Sequence, residues 1–554
     1  MIKKSIDKIR ATNTQKKDIY ERICADYEKN KTEEKKAGNK FLKYGTMAAA
    51  TVLVLGAVAV VVSIIVNMQG VPVTHPESGG TSQSMTESVL SSSTESYGSI
   101  DCDGPPPPEI DVTTKPIIMT WGDTYDYSVQ SDMFKSFFGI PENKPTGYED
   151  IPDDDAFCIV QKVNYSDRYV VLAKLISSDQ SPDIIPFDEN AYPFGICKGF
   201  FQSVDDVIDF QRSIWKTHNK YADAMKWKGK TYAPIISIDA SEYLWYRKTV
   251  IEEYGLPDPY ALYKQGEWTL DAFFDMSKKF MMAGEETYAI DGYSAEYGFV
   301  ATTGKALFSI ENGNLVSNLY DSDIENMMDT LRTRFNDSEN KYNSKNQLRY
   351  PVEIINNWTP SYRMWAVGRT LFFADNSYVY ENQWQKYAEL LEWDADEIQL
   401  VPFPKSTDGN NYYYDARINS YMLCTGSKNP EGYAAFMISS VLCENPETKK
   451  YVYETKKAEY GWTDELLYKI EETTDDTRNK PVFDMIFGTD MAGMFASSLI
   501  AYQDYFTPLV SKPYKNDATY ADIREENKDA IDKSVSAVNE VQQTIEVKPP
   551  QSED

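Results

Sequence analysis

The sequence predicts an α/β domain with mostly parallel sheets, preceded by one helix that spans a membrane. From residue 116 onward, apolar strand patterns alternate with amphipathic helix patterns, and this alternation is typical of sheets covered by helices. An apolar run and a polar linker come before this region. With 554 residues, the chain is long enough for several structural units.

The apolar run at residues 44–68 contains 25 positions without a charged side chain. A helix rises about 1.5 Å per residue, so this run would cross a hydrocarbon core of about 30 Å. Residues 1–43 carry thirteen Lys or Arg and seven Asp or Glu, and no Lys or Arg follows the run before Lys115. The positive-inside rule therefore predicts a single-pass protein of the cell membrane, with a cytoplasmic tail at 1–43 and an extracellular remainder. A cleaved signal peptide has a shorter apolar core, so we favour a retained anchor.

The linker at residues 69–115 is rich in Ser, Thr, Gly and Pro and contains four consecutive prolines at 105–108. Such a composition buries too little apolar surface to fold, so it stays extended. We therefore place the folded domain at residues 116–545 and a short C-terminal tail at 546–554.

Strand and helix patterns are clearest at the start of this domain. The predicted elements there are strands 116–121, 156–164 and 182–187 and helix 166–177. At 307–317, an Asn-Gly pair flanked by alternating apolar residues predicts a hairpin. Further amphipathic helices are predicted at residues 322–335, 430–442 and 522–543.

Net charge limits the possible partners. The chain carries −29 and residues 1–43 carry +6, so the remainder carries −35. Nucleic acids bind basic surfaces, so we predict no nucleic-acid partner. The same charge disfavours anionic ligands and leaves neutral solutes and cations open.

Sequence motifs for catalysis or cofactor binding are missing. There is no P-loop and no G-x-G-x-x-G pattern, and His218 is the one histidine after the linker. A His-dependent triad or a site with several His ligands would depend on that residue alone. The acidic residues within 149–155 lack the Gly and final Glu of a calcium loop, so a solvated turn is favoured. We predict no catalysis, no cofactor and no metal site.

The six cysteines show no C-x-x-C spacing. Buried free thiols are therefore favoured over a zinc site. One disulfide, either Cys158–Cys197 or Cys424–Cys443, is the alternative.

Five segments carry a resemblance to a known family. They are residues 181–206, 227–235, 242–280, 367–380 and 401–437. The most specific is 242–280, where a Gly-Leu-Pro-x-Pro turn is followed by a Trp-Thr-x-x-x-Phe helix start. In this order the segments resemble the family 1 extracellular solute-binding proteins of ABC transporters, which include the maltose-binding proteins. The resemblance covers residues 116–540, about three-quarters of the chain.

This resemblance implies a two-lobe, periplasmic-binding-protein-like fold of type II, in which the ligand lies between two α/β lobes. The implied lobes are 116–238 with 400–450 for lobe 1 and 239–399 with 451–545 for lobe 2. The chain would cross between them near 236–241 and 400–404. Hinge closure around the ligand is the usual motion of such folds.

The resemblance also implies a cleft formed by loops at strand ends. Carboxylates, amides and aromatic rings in these loops would hold a sugar. The loops are 122–125, 188–190, 293–297 and 375–380, and the later segment adds Asp415 and Arg417. The predicted ligand-binding residues are Asp123, Thr124, Tyr125, Asp188, Glu189, Tyr293, Tyr297, Asp375, Tyr378, Tyr380 and Arg417. Tyr378 or Tyr380 is predicted to stack on the sugar ring.

The function implied is extracytoplasmic binding of a neutral solute, preferably an oligosaccharide, for ABC permease subunits. Three features depart from the family pattern: the retained helix, the Trp-Tyr-Arg-Lys sequence at 245–248, and the lack of Gly-Pro or Gly-Gly before the aromatic residue near Asp375. Two alternatives stay open. One is a sensor that signals through the membrane helix to the cytoplasmic tail, and the other is a carbohydrate-active enzyme.

Overall fold

The computed structural model describes residues 115–121 and 158–540, except 217, 285–286, 293–294, 337–361, 443, 445 and 487–518. The predicted cytoplasmic tail, membrane helix and linker up to residue 114 lie outside these ranges. Among the helices of the described ranges, none is both long enough and apolar enough to cross a membrane.

Strands and helices alternate through the domain, as the sequence predicts. Within the described ranges the strands are β1 (Ile117–Thr120), β2 (Ile159–Lys162), β3 (Ile184–Pro186), β4 (Ser237–Ala240), β5 (Tyr243–Arg247), β6 (Tyr288–Gly292), β7 (Phe308–Glu311), β8 (Asn314–Ser317), β9 (Thr370–Asp375), β10 (Ile398–Val401), β11 (Tyr412–Asn419), β12 (Tyr421–Leu423) and β13 (Asn479–Val482). The α-helices there are α1 (Arg168–Ser177), α2 (Phe194–Cys197), α3 (Lys248–Glu253), α4 (Pro259–Gln265), α5 (Leu270–Ala283), α6 (Ala295–Ala301), α7 (Ser322–Asn336), α8 (Tyr362–Ala366), α9 (Gln385–Leu391), α10 (Pro430–Leu442), α11 (Pro446–Tyr460), α12 (Asp464–Asp475), α13 (Tyr520–Glu526) and α14 (Lys528–Glu540).

The first sheet has the strand order β12-β3-β1-β2. Strand β1 is parallel to β2 and β3, and β12 is antiparallel to β3. Because side chains alternate between the faces of a strand, Ile118 joins a cluster with Phe436 of α10, whereas Met119 joins the main core with Leu172 of α1. The sheet is buried on both faces, which explains the consecutive apolar residues of its strands.

The second sheet has the strand order β10-β5-β9-β6. Strand β6 is parallel to β9, and β5 is antiparallel to both β9 and β10. One face carries Trp245 and Phe373 in a cluster of aromatic rings, and the other carries Phe372 in the main core beside Phe273 of α5. This sheet is therefore also covered on both faces.

A third sheet, β13-β11-β4, links the two main sheets. Strand β4 leads into β5, and β11, which is antiparallel to β4, leads into β12 of the first sheet. The chain thus returns to the first sheet through β11, later than the predicted crossing at 400–404. Residues after β10 stay with α5, because the Trp268 indole donates to the carbonyl of Pro402 at 2.8 Å and the Leu270 N–H donates to the carbonyl of Lys405 at 2.9 Å. The lobe boundaries themselves stay a prediction.

The predicted hairpin at 307–317 is confirmed as β7 and β8. Asn312 and Gly313 have positive φ values of 51° and 74°, as a two-residue type I′ turn requires. The single helix predicted over 522–543 is wrong, because α13 ends at Glu526 and α14 begins at Lys528. The Asn527 amide side chain donates to the carbonyl of Ile523 at 2.8 Å, which caps the first helix.

The three cysteines for which the structure gives a thiol state are Cys158, Cys197 and Cys424, and all three are free. Burial raises the pKa of Cys158 to about 12, so this thiol is unreactive. The alternative Cys158–Cys197 disulfide is therefore wrong. Cys443 lies outside the described residues.

Candidate functional site

A cavity of about 410 Å³ opens at the carboxyl end of the first sheet. Trp121 follows β1, and Phe187 and Asp188 follow β3, so two neighbouring parallel strands deliver residues to the same edge. This edge is the usual position of ligands in α/β sheets. The cavity is lined by Trp121, Tyr165, Pro186, Phe187, Asp188, Glu189, Ile236, Ser237, Arg417, Ile418, Asn419, Ser420, Tyr421, Ser440 and Glu444.

Asp188 is the most firmly held carboxylate of the cavity. Its Oδ2 accepts a hydrogen bond from Arg168 Nε at 2.8 Å and another from the Tyr169 hydroxyl at 2.6 Å. The side chains of Arg168 and Asp188 are each 6% exposed. Arg168 begins α1, so the first helix supplies the partner for the loop after β3. Burial raises the pKa of Tyr169 well above its usual value, and Asp188 adds to the rise.

Aromatic rings surround the same ion pair. The Arg168 guanidinium carbon lies 3.7 Å from the centre of the Tyr165 ring and 5.4 Å from that of Trp121. Tyr169 stacks on Phe200 with ring centres 5.9 Å apart and an angle of 2° between the planes. Two of these rings, Trp121 and Tyr165, line the cavity. They offer flat surfaces of the kind that pack against the C–H face of a ligand.

The strands that link the two main sheets form another wall. Asn419 at the end of β11 donates from its amide to Ser237 Oγ at 2.8 Å and to Asp239 Oδ2 at 2.7 Å, which ties β11 to β4. Arg417 lies two residues earlier on β11 and also lines the cavity. A ligand here would contact both the first sheet and the connection between the sheets.

Acidic side chains near this wall differ in exposure, because Asp415 and Asp484 are half-buried whereas Glu189 is exposed. Desolvation of the Glu189 carboxyl nevertheless raises its pKa, and Arg417 opposes that rise. Burial also raises the pKa of Asp415, and the nearby Asp484 and Glu189 raise it further. For Asp484 burial raises the pKa to about 6, although three backbone N–H groups donate to its carboxylate and oppose the change.

The predicted site residues fall into three groups. Asp188, Glu189 and Arg417 meet in the cavity. Residues Asp123, Thr124, Tyr125 and Tyr293 lie outside the described ranges. The other four, Tyr297, Asp375, Tyr378 and Tyr380, are described but do not line this cavity. Their contact with a ligand stays a prediction.

The four residues that do not line the cavity have different surroundings. Tyr297 is half-buried in α6 and packs on the main core. Tyr380 is 6% exposed and packs against Trp245 and Trp462 at ring-centre distances of 5.9 and 4.4 Å. Tyr378 is exposed, at 59%. Asp375 is buried, and burial raises its pKa to about 7.

Sequence reasoning missed several residues of the cavity. Trp121 directly precedes the predicted loop 122–125, so extending that loop by one position would have included it. Arg168 lies in the first turn of the predicted helix 166–177, and Tyr165 directly precedes that helix. Neither residue carries a motif, and only the packing of α1 beside β3 brings them to the site. Glu444 follows α10 and is distant in sequence from the other lining residues.

The described part of the chain contains no group of three or more His, Cys, Asp and Glu side chains placed to hold a metal ion. The residues that line the cavity supply hydrogen-bond donors, acceptors and aromatic faces.

No family model matches the sequence, and no curated protein matches it either. Solved structures similar to this chain are solute-binding proteins of ABC transporters, the family that the sequence segments resemble. One is an ABC substrate-binding protein from Listeria monocytogenes in complex with cycloalternan, with 15% identity, a TM-score of 0.49 and coverage of 76% of this chain and 99% of that one.

Two further similar structures bind sugars. The galacto-N-biose/lacto-N-biose I-binding protein of Bifidobacterium longum has 13% identity and a TM-score of 0.48, over 77% of this chain and 98% of its own. The cyclic α-maltosyl-1,6-maltose binding protein of Arthrobacter globiformis has 14% identity and a TM-score of 0.48, with the same coverages.

Proposed function

We propose that this chain binds a neutral, polyhydroxylated solute outside the cell, preferably an oligosaccharide, and presents it to an ABC importer. The observation that carries the proposal is the pairing of carboxylates with basic side chains around an aromatic-walled cavity. Hydroxyl groups of a sugar need both donors and acceptors, and its C–H faces pack on aromatic rings.

Charge balance favours a neutral ligand over a cation. Asp188 forms a 2.8 Å ion pair with Arg168. Arg417 lowers the pKa of Glu189, and Lys449 lowers that of Glu444, although burial raises both values overall. Each carboxylate of the cavity therefore has a nearby positive charge, whereas a polyamine site would need acids without such compensation.

The importer link is supported by the five sequence segments that resemble family 1 solute-binding proteins. The site also lies beside β4 and β11, the strands that link the two main sheets, where ligand contacts would couple to hinge motion. Neither feature identifies the permease.

A thermal-shift screen of the purified full-length chain tests the ligand class. The panel contains neutral oligosaccharides, spermidine and a basic peptide. A sugar present at 100 times its Kd should stabilise the folded state by about 2.7 kcal/mol. Stabilisation by spermidine or the peptide, with no response to any sugar, would contradict the proposal.

Membrane tethering through residues 44–68 is the second part of the proposal. It is supported by the length of this apolar run and by the Lys and Arg of residues 1–43. Protease added to intact cells should remove the folded domain and leave the tail protected. If the folded domain survives protease added to intact cells and is cleaved only after lysis, the domain lies in the cytoplasm and the tethering proposal is wrong.

A sensor is the alternative function, and the 43-residue tail motivates it. Deleting residues 1–30 while keeping membrane insertion separates the two functions. An importer component should retain ligand binding and uptake. Loss of a ligand-induced transcriptional response with unchanged uptake would favour the sensor.

A further inference from the structure

Arg168 lies against three residues that line the cavity. It touches the acid after β3, the ring of Tyr165 and the ring of Trp121. We infer that Arg168 is a positioning residue that sets the ligand class of the cavity, because it cancels the charge of Asp188 and holds the aromatic wall formed by Tyr165. This inference deepens the proposed function and rests on the same cavity.

The first step is electrostatic. Asp188 lines the cavity, and its carboxylate is held by the guanidinium of Arg168 at 2.8 Å. Both side chains are almost fully buried, so water screens their charges weakly. Removing one member of a buried pair leaves the other charge uncompensated. Without Arg168, Asp188 would present an unneutralised negative charge to the cavity.

The second step concerns the rings. Besides bonding to Asp188 through Nε, Arg168 donates from Nη1 to the carbonyl oxygen of Tyr165 at 2.5 Å. Its planar guanidinium also stacks over the Tyr165 ring. A lysine carries the same charge but has neither the planar fork nor the stacking surface. Arg168 therefore neutralises Asp188 and also holds the Tyr165 ring. Arg168→Lys keeps only the first of these contributions.

The test compares the parent with Arg168→Gln and Arg168→Lys. Spermidine is the probe for unmasked negative charge, and calorimetric titration at fixed ionic strength measures its Kd. We expect Arg168→Gln to bind spermidine at least tenfold more tightly than the parent, because Asp188 is no longer neutralised. Arg168→Lys should restore the parent value. Adding Asp188→Asn to Arg168→Gln should abolish the gain.

Arg524→Gln is the matched control. Arg524 forms a 2.8 Å ion pair with Glu325, its side chain is 9% exposed, and its guanidinium lies 4.1 Å from the centre of the Tyr320 ring. Arg524 lies in α13 and resembles Arg168 in its own burial, in its pairing with an acid and in its ring contact, but its partner Glu325 is 37% exposed. Losing this arginine should lower the unfolding temperature without a gain in spermidine binding.

Equal spermidine affinity of the parent and Arg168→Gln would overturn the inference, and so would an equal gain in Arg524→Gln. Should Arg168→Gln fail to fold, Asp188→Asn provides the opposite test, because it unmasks Arg168 instead. That variant should bind inorganic phosphate at least tenfold more tightly than the parent, and no gain would overturn the inference. If no neutral sugar binds the parent, the proposed function fails, while the spermidine comparison still decides the role of Arg168.

Discussion

The carboxyl ends of the two main sheets carry similar residues with different surroundings. After β3 of the first sheet, Asp188 forms a buried ion pair with Arg168 and lines a cavity. At the end of β9 in the second sheet, Asp375 is buried to a similar degree, and its Oδ1 accepts a hydrogen bond from the Asn376 N–H at 2.8 Å. Burial raises the pKa of Asp375 to about 7.

The aromatic residues near these two edges differ in the same way. Tyr165 and Trp121 line the cavity at the first sheet. Tyr380, in the helical segment after β9, is enclosed by Trp245 and Trp462. Its hydroxyl donates to the carbonyl of Gly461 at 3.0 Å. The packing around a polar or aromatic residue after a strand therefore decides whether it lines a cavity or joins the core.

Tyr380→Ala should have the largest effect, and it tests whether the residues after β9 of the second sheet have a structural role. Removing a buried ring from this cluster should destabilise the fold by about 3–5 kcal/mol. Urea unfolding measures the change, and Tyr380→Phe is the control, with an expected loss of about 0.5–1.5 kcal/mol for the hydrogen bond alone. An unchanged midpoint together with weakened sugar binding would instead support the sequence prediction that Tyr380 contacts the ligand.

Asp375 should make stability depend on pH between about 4 and 7. Its folded pKa is raised, so the folded state keeps a proton that the unfolded state loses, and this contribution to stability falls as pH rises through that window. Asp375→Asn should remove this loss of folding stability, which grows by at most about 1.4 kcal/mol per pH unit.

Unfolding midpoints at pH 5 and pH 8 check the effect of Asp375. The variant should gain more over the parent at pH 8 than at pH 5. Other titrating acids cancel in this difference when they are distant from the substituted residue. An equal difference at both pH values would show that Asp375 does not titrate there.

Arg417→Ala tests whether the cavity at the first sheet binds the ligand. Arg417 is exposed and lines the cavity, so the variant should weaken binding of the sugar found in the screen by about 1–3 kcal/mol. Its unfolding temperature without ligand should barely change. Lys428→Ala serves as the control, because Lys428 forms an exposed pair with Asp179 and does not line the cavity. Equal affinity of both variants and the parent would remove Arg417 from the site.

Tyr378→Ala should have the smallest effect on stability. Since 59% of this residue is exposed, the expected change is within about 0.5 kcal/mol. If the predicted stacking on a sugar occurs, affinity should still fall by about 1 kcal/mol or more. If the variant binds the sugar as tightly as the parent does, Tyr378 does not stack on it.

Much of the secondary structure could be predicted from local patterns. The strands beginning at 116, 156 and 182, the helix at 166–177 and the Asn-Gly hairpin all occur where the sequence places them. Each has a strong local cause, either a short buried apolar run or a turn with two positive φ values. The uninterrupted helix over 522–543 was wrong because the side chain of Asn527 caps the first of two helices through a specific hydrogen bond. The crossing at 400–404 stays a prediction, as do the lobe boundaries.

For the candidate site, the family resemblance of the sequence segments implied that Asp188, Glu189 and Arg417 belong to one cleft, and the structure brings these three residues to one cavity. The sequence by itself determined the strand that ends before Asp188, and parallel strands bring their carboxyl ends to one edge of a sheet. Only the tertiary structure decided the partner of each residue. Arg168 reaches Asp188 because α1 packs beside β3, and Tyr380 joins the core because Trp245 and Trp462 meet around it. Charge compensation and burial depend on contacts between distant segments, which local patterns do not contain.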